Sequence, residues 1–420
     1  MSNTVASTQI NTQAAPGPLS VQELAKIARK YPLAVRKALD FAGMLEKGIL
    51  TVQMPDGVQM QFGGNGAGPR AEMQIRDFGF ARRLATGGEL GIAEAYINGE
   101  WDTPDLTSFL AMFCANKFVL GKLLADKPII RLLQLARHWL NRNTKAGARR
   151  NIHAHYDLGN AFYAAWLDPS MTYSSALFTG NETNLEHAQT AKNAALAQSI
   201  GLSGDKHVLE IGCGWGGFAE FAAKTYGCQV TGLTISQEQF DFAKQRIFRA
   251  GLSEKVNLKL QDYRDERGQY DAIASIEMLE AVGEAFWPTY FTQLHDRLTP
   301  QGLAGVQTIT IAEDNFQSYR REIDFIRRYI FPGGMLPTAR ILQEQGSRHG
   351  LRMVHQRAFG KDYAVTLATW RDRFLAAWPS LSGLGFDEKF RRMWEYYLCY
   401  CEAGFAMEMI DVRQVIYARD

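Results

Sequence analysis

Between residues 208 and 311, short apolar runs alternate with amphipathic stretches. The runs at 208–211, 229–233, 256–260, 272–275 and 303–311 are rich in Val, Leu, Ile and Ala, and the segments between them repeat apolar residues at helical spacing. Continuous apolar runs of this length suit strands buried on both faces, so the alternation predicts an α/β domain with a largely parallel sheet over residues 151–420. Upstream the pattern changes. A helical period at 21–30 is followed by strand-like segments at 50–54 and 58–62 around the turn pair Asp56-Gly57, and then by helices from Gly88 onward. These make a smaller N-terminal domain over residues 19–140, with lipid, membrane or dimer contact as its expected work. Residues 1–18 are polar and aperiodic and read as a disordered tail, and 141–150, polar with one glycine, read as a linker.

The run at 208–211 ends in Gly212-Cys213-Gly214-Trp215-Gly216-Gly217, a glycine turn opening a helix. Glycines let the backbone turn tightly and approach a ligand, and the helix start favours an anionic group, so a nucleotide-like cofactor is expected here. Gly212, Gly214 and Gly217 also satisfy the dinucleotide spacing G-x-G-x-x-G. That fingerprint expects an acid about 20 residues on, but the next strand ends in Thr234-Ile235-Ser236, with no acid until Glu238. The carboxylate stands before the glycines, at Glu210. A ligand-free strand-turn-helix is the remaining alternative.

Bulk properties narrow the classes. The chain has 420 residues, 46% hydrophobic, and its net charge of +2 does not make a nucleic-acid binder. Five cysteines without C-x-x-C or zinc spacing suit a reducing cytosol and suggest no metal site. No apolar run is long enough to span a bilayer, and the N-terminus lacks a signal-peptide pattern. One charge feature stands out: Lys127, Arg131, Arg137, Arg142, Lys145, Arg149 and Arg150 occur with no acid from 127 to 156, interleaved with leucines and Trp139. This pattern suits either an anionic membrane surface or a solvated helix packed on the next domain.

The L-E-I-G-C-G-x-G pattern resembles the first motif of S-adenosylmethionine-dependent methyltransferases. Further segments resemble the cyclopropane fatty acid synthase and mycolic acid methyltransferase family: His155-Tyr156-Asp157-Leu158-Gly159-Asn160, Met171-Thr172-Tyr173-Ser174, Gly232-Leu233-Thr234-Ile235-Ser236-Gln237-Glu238-Gln239, Ser275-Ile276-Glu277-Met278-Leu279-Glu280, Phe331-Pro332-Gly333-Gly334, Asp362-Tyr363-Ala364 and Tyr396-Tyr397-Leu398. The stretch from Gly91 to Trp101 is similar to the N-terminal domain of the bacterial phospholipid enzymes. The resemblance implies a Rossmann-like class I methyltransferase domain with helical insertions covering an acyl pocket. It implies methyl transfer from S-adenosylmethionine to the cis double bond of an unsaturated acyl chain, often in a membrane phospholipid. The expected product is a cyclopropane or a methyl-branched, still unsaturated chain. The expected location is cytoplasmic, peripheral at the inner membrane face, with a homodimer as one assembly.

For the cofactor, the resemblance implies Tyr173 and Ser174 at the methionine end with Glu210, Gly212, Gly214 and Gly216. Thr234 and Gln239 would hydrogen-bond the ribose, Asp262 would lie near the adenine amino group, and Ser236 and Ile276 complete the expected cofactor-binding set. For Asp262, capping of its own loop is equally compatible with the sequence. Methylating an unactivated alkene leaves a carbocation, which aromatic faces can tolerate; Tyr173 and Tyr397 are candidates, whereas Tyr156 and Phe331 read as packing residues. Ring-closing relatives are expected to hold bicarbonate as general base. Glu280 and Tyr397 match that pocket, but its cysteine is Ser175 and its histidine is Gln307, which cannot relay a proton as imidazole does. A non-catalytic lipid-binding relative and a nicotinamide oxidoreductase are the alternatives.

Overall fold

The computed structural model describes residues 26–64, 66–117 and 158–419, which fall into two compact units on either side of residue 120. The expected tail at 1–18, the linker at 141–150, the basic stretch at 127–150 and Tyr156 lie outside the described residues.

In the first unit, β1 (Lys47–Gln53) and β2 (Gln59–Gly63) form the expected antiparallel hairpin, with Leu50 opposite Phe62 and Val52 opposite Met60. All four are buried, which fixes the register, since a slip of one residue would turn them to solvent. Two further strands, β3 (Gly66–Ile75) and β4 (Trp101–Asp102), complete a sheet in the order β2-β1-β3-β4. Glycines and Pro69 hide β3 in the sequence, although Ala71, Met73 and Ile75 alternate inward. The helix Gly79–Ile97 starts before the expected Gly88, where φ is +59° and the helix kinks.

The second unit is a seven-stranded sheet ordered β10-β11-β9-β8-β5-β6-β7. The strands are β5 (His207–Ile211), β6 (Gln229–Thr234), β7 (Val256–Leu260), β8 (Tyr270–Ile276), β9 (Leu298–Ile311), β10 (Leu351–Ala358) and β11 (Ile410–Arg419). β5 to β9 pair in parallel, as the apolar runs predicted; β11 inserts antiparallel between β9 and β10. Separate apolar clusters pack around the strands, one including Leu209, Ile273, Phe291 and Tyr417, the other Val208, Phe218, Ala272 and Ile416. The order reverses between β5 and β8. In open parallel sheets, the crevice beyond the carboxyl ends at such a point is where ligands bind. Long helices, Gly360–Ser382 and Glu388–Ala406, are inserted between β10 and β11 and pack on each other.

Candidate active site

The glycine turn leaves β5 with φ of +82° at Gly212, +51° at Gly214 and +81° at Gly216, values side chains rarely adopt. A Cβ on Gly212 would lie 2.9 Å from Met278 Cγ, whereas one on Gly214 would meet nothing within 4 Å. Gly214 therefore lines the open side of the turn. Beneath it Glu210 is buried, with one carboxylate oxygen lacking a hydrogen-bond partner among the described residues. Burial pushes its carboxyl up to about 8, with Lys192 pulling the other way. An open glycine cradle above an unsatisfied buried carboxylate fits the ammonium of a methionine-like group. We expect Gly214→Ala to weaken S-adenosylmethionine binding at least about tenfold in calorimetry, while the φ strain costs roughly 1 kcal/mol of stability. An unchanged Kd would remove the turn from the cofactor site. Gly212 tests less cleanly, because its substituent strikes Met278.

Glu210 also sets a pH signature. With its carboxyl near 8 it is protonated at pH 7, and a cation seated beside it favours the ionised form. Binding should release roughly one proton at pH 7 and little well above pH 8. Calorimetry in buffers of different ionisation enthalpy reads this directly, and Glu210→Gln should abolish most of the release.

At the end of β6, the Thr234 hydroxyl donates to Gln239 Oε1 (3.0 Å), and the Ser236 amide donates to Thr234 Oγ1 (3.2 Å). Ser236 caps the helix Gln237–Arg249 by accepting from the Gln239 amide, so its visible task is structural. Asp262 caps its own turn and pairs with Arg264 through contacts of 2.8 and 2.6 Å. The capping alternative is thus present in the fold. Ile276 ends β8 opposite Gln307 of β9. The Ser174 hydroxyl accepts from Lys192 Nζ (2.8 Å), a fully buried ammonium whose pKa burial lowers to about 8.

Across the switch point, the residue after β8 is the centre of the arrangement. Glu277 Oε1 accepts from the Ser175 amide (2.8 Å) and from Gln307 Nε2 (2.9 Å), and Oε2 accepts from the Tyr363 hydroxyl (2.6 Å). Gln307 is fully buried and oriented by Gln414 of β11, whose amide donates to Gln307 Oε1 (3.0 Å). Glu277 adopts φ +49°, a strained conformation for a side-chain-bearing residue. Glu280 lies three residues on: its Oε1 accepts from Thr308 Oγ1 (2.9 Å) and the Ile309 amide (2.5 Å), while Oε2 is buried without a partner among the described residues. Burial first, and then the charge of Glu277, push the Glu280 carboxyl up to about 8. Burial raises the Glu277 carboxyl as well, but its three donors and the charge of Lys192 oppose that, so Glu280, with one oxygen lacking a partner among the described residues, is the member of the pair that holds a proton more readily.

Ser175 and Gln307 are therefore brought together as expected, but around a carboxylate of the chain itself. Tyr397 is not in that group. Its hydroxyl is 2.7 Å from that of Tyr173, and the tyrosine reaching the centre is Tyr363. The ring of Tyr173 packs against Tyr163, Trp166 and Trp370, and that of Tyr397 against Trp394 and Phe331. Tyr363 links this cluster to Glu277, since its ring packs on Trp370, which also packs on Tyr173. Sequence reading missed Glu277, Tyr363 and Lys192. Glu277 had a usable signal, an acid directly after a buried strand at the switch point, the same logic that singled out Glu210.

The model of the mycolic acid cyclopropane synthetase family matches residues 143–415. The chain is 40% identical over 375 residues to tuberculostearic acid methyltransferase UfaA1 of Mycobacterium tuberculosis, covering 84% of this chain and 85% of the relative. It is 36% identical over 367 residues to cyclopropane-fatty-acyl-phospholipid synthase of Escherichia coli, covering 84% and 89%. Among solved structures, mycolic acid cyclopropane synthase CmaA1 complexed with SAH and CTAB aligns with a TM-score of 0.61 at 29% identity, over 64% of this chain and 98% of that one.

Proposed function

The chain belongs to the mycolic acid cyclopropane synthetase family, and from that premise we propose that it methylates the cis double bond of an unsaturated acyl chain carried by a membrane phospholipid. It is an S-adenosylmethionine-dependent methyltransferase. The observation that carries the reading is the pairing, across one switch point, of an open glycine cradle over Glu210 with the carboxylates Glu277, linked to the aromatic cluster through Tyr363, and Glu280.

The cofactor, when bound, supplies an electrophilic sulfonium methyl for the alkene π pair to attack, leaving S-adenosylhomocysteine and a carbocation on the neighbouring chain carbon. Glu210 and the turn around Gly214 would hold the methionine end, and Thr234 and Gln239 at the end of β6 would hold the ribose. Tyr173 and Tyr397 present aromatic faces that attract the cation without attacking it, and the buried surroundings exclude water. Loss of a proton from the new methyl closes a cyclopropane ring; loss from the adjacent chain carbon gives a methyl-branched alkene. The test is S-adenosylhomocysteine release with phospholipid vesicles carrying cis-monounsaturated or fully saturated chains. Release is expected with the cis chain alone, and equal release with the saturated chain would remove the alkene from the reaction.

Presentation of the substrate at a membrane surface is supported by the acid-free, leucine-interleaved cations of residues 127–150. Among the described residues no helix is long and apolar enough to cross a membrane. Replacing Arg142, Lys145, Arg149 and Arg150 with Gln should weaken binding to anionic vesicles by about 1 kcal/mol per charge, with the loss fading at high salt. Sedimentation that is unchanged at low salt would assign those cations to another task.

A further inference from the structure

We propose that Glu277 is the general base of the reaction, a resident carboxylate standing where a bound bicarbonate would otherwise have to sit. This rests on the methyltransfer reading above and deepens it. The backbone amide at 175 and the side chain at 307, two groups that a bicarbonate pocket in this fold would use, are already spent on Glu277, and Tyr363 donates to its second oxygen. Bicarbonate does not fit a pocket whose donors are occupied by a covalently attached anion of the same chemistry.

A purely structural role for Glu277 is disfavoured by what the position costs. Its φ of +49° is strained, and its part-buried carboxylate is held by neutral donors, with no direct ion pair among the described residues. Its location is right for a base. The next residue, Met278, packs on Gly212 of the glycine turn, so Glu277 is the chain neighbour of a residue that borders the turn. Lys192, coupled electrostatically to both Glu277 and Glu210, adds a cation shared by the two halves of the site. The nearby Glu280 keeps its proton when Glu277 is charged, so the two carboxyls do not compete for the ionised role.

The step balances without a co-reactant. After methyl transfer, Glu277 takes a proton either from the new methyl group, whose C–H electron pair closes the third ring bond onto the cationic carbon, or from the chain carbon next to the cation, whose C–H pair becomes the new C=C bond; the cation and carboxylate are both neutralised. Which product forms depends on which C–H faces the fixed carboxylate.

The test compares wild type, Glu277→Gln and Glu277→Gly for S-adenosylhomocysteine release on cis-monounsaturated phospholipid vesicles, in carbon-dioxide-free buffer with and without added bicarbonate or formate. Wild type should run at the same rate in all three conditions. Glu277→Gln, which keeps the shape but not the basicity, should lose at least about a hundredfold in kcat while binding S-adenosylmethionine normally. Glu277→Gly relieves the φ strain and empties the pocket, so added bicarbonate or formate should raise its rate at least about tenfold. A wild-type rate that falls when bicarbonate is removed, or a Glu277→Gln rate near wild type, would overturn the assignment. A wild type that releases no product with any acyl lipid would instead bring down the parent reading, and this inference with it.

Discussion

Glu280→Gln should lower kcat by about two to three orders of magnitude while leaving S-adenosylmethionine affinity and melting temperature close to wild type. The substitution is nearly isosteric. The retained Oε1 still accepts from Thr308 and the Ile309 amide, so the loop keeps its place. What is lost is the second oxygen, buried without a partner among the described residues, and with it the exchangeable proton beside Glu277. A neutral amide there cannot pass that proton on, whereas the charge that balances the cation stays on Glu277. Single-turnover kinetics with calorimetry separates this from a binding defect: a raised KM with unchanged kcat would place Glu280 in substrate positioning instead.

The largest effect on stability is expected at Trp394. Its ring is almost fully buried on the helix Glu388–Ala406, against Phe162 (4.9 Å between ring centroids), Phe390 (5.7 Å), Trp166 (6.0 Å) and Tyr397 (5.2 Å). Trp394→Ala removes the shared member of this cluster and leaves a cavity that rigid neighbouring rings cannot close. The expected cost is about 3–5 kcal/mol in denaturant unfolding of the full chain. Because Tyr397 loses a packing partner, residual folded enzyme should also turn over more slowly. A cost below about 1 kcal/mol would mean the cluster repacks freely.

The parallel half of the sheet was legible because buried parallel strands leave continuous apolar runs, and β5 to β9 all stand where those runs predicted. β10 and β11 were not. β10 is mostly exposed along its length, and β11 interrupts its apolar residues with Asp411, Arg413 and Gln414, so neither shows a run. The same blindness affected the site. The glycine turn and Glu210 are local in sequence, and local backbone chemistry is what a sequence displays. The Glu277 centre is assembled from groups at 175, 277, 307 and 363, and nothing in the spacing shows which hydroxyl spans 86 positions to reach a carboxylate. Hence Tyr397 was expected where Tyr363 stands. Gln307 looked like a weakened histidine; in the fold it is a donor fixed by Gln414 and matched to an acid of the chain. A buried lysine such as Lys192 gives no signal at all, since one charged residue on a helix ordinarily reads as solvated.

The most direct test of the central claim is to follow the methyl group itself. Purified full-length protein would be incubated with S-adenosylmethionine carrying a deuteriated methyl and with anionic vesicles of a cis-monounsaturated phospholipid, and the acyl chains analysed by mass spectrometry and NMR. The label is expected on a former alkene carbon of the chain: intact if a branched alkene forms, and with one deuteron lost if the ring closes. Label confined to the head group or the protein, or unlabelled acyl chains despite cofactor binding, would contradict it.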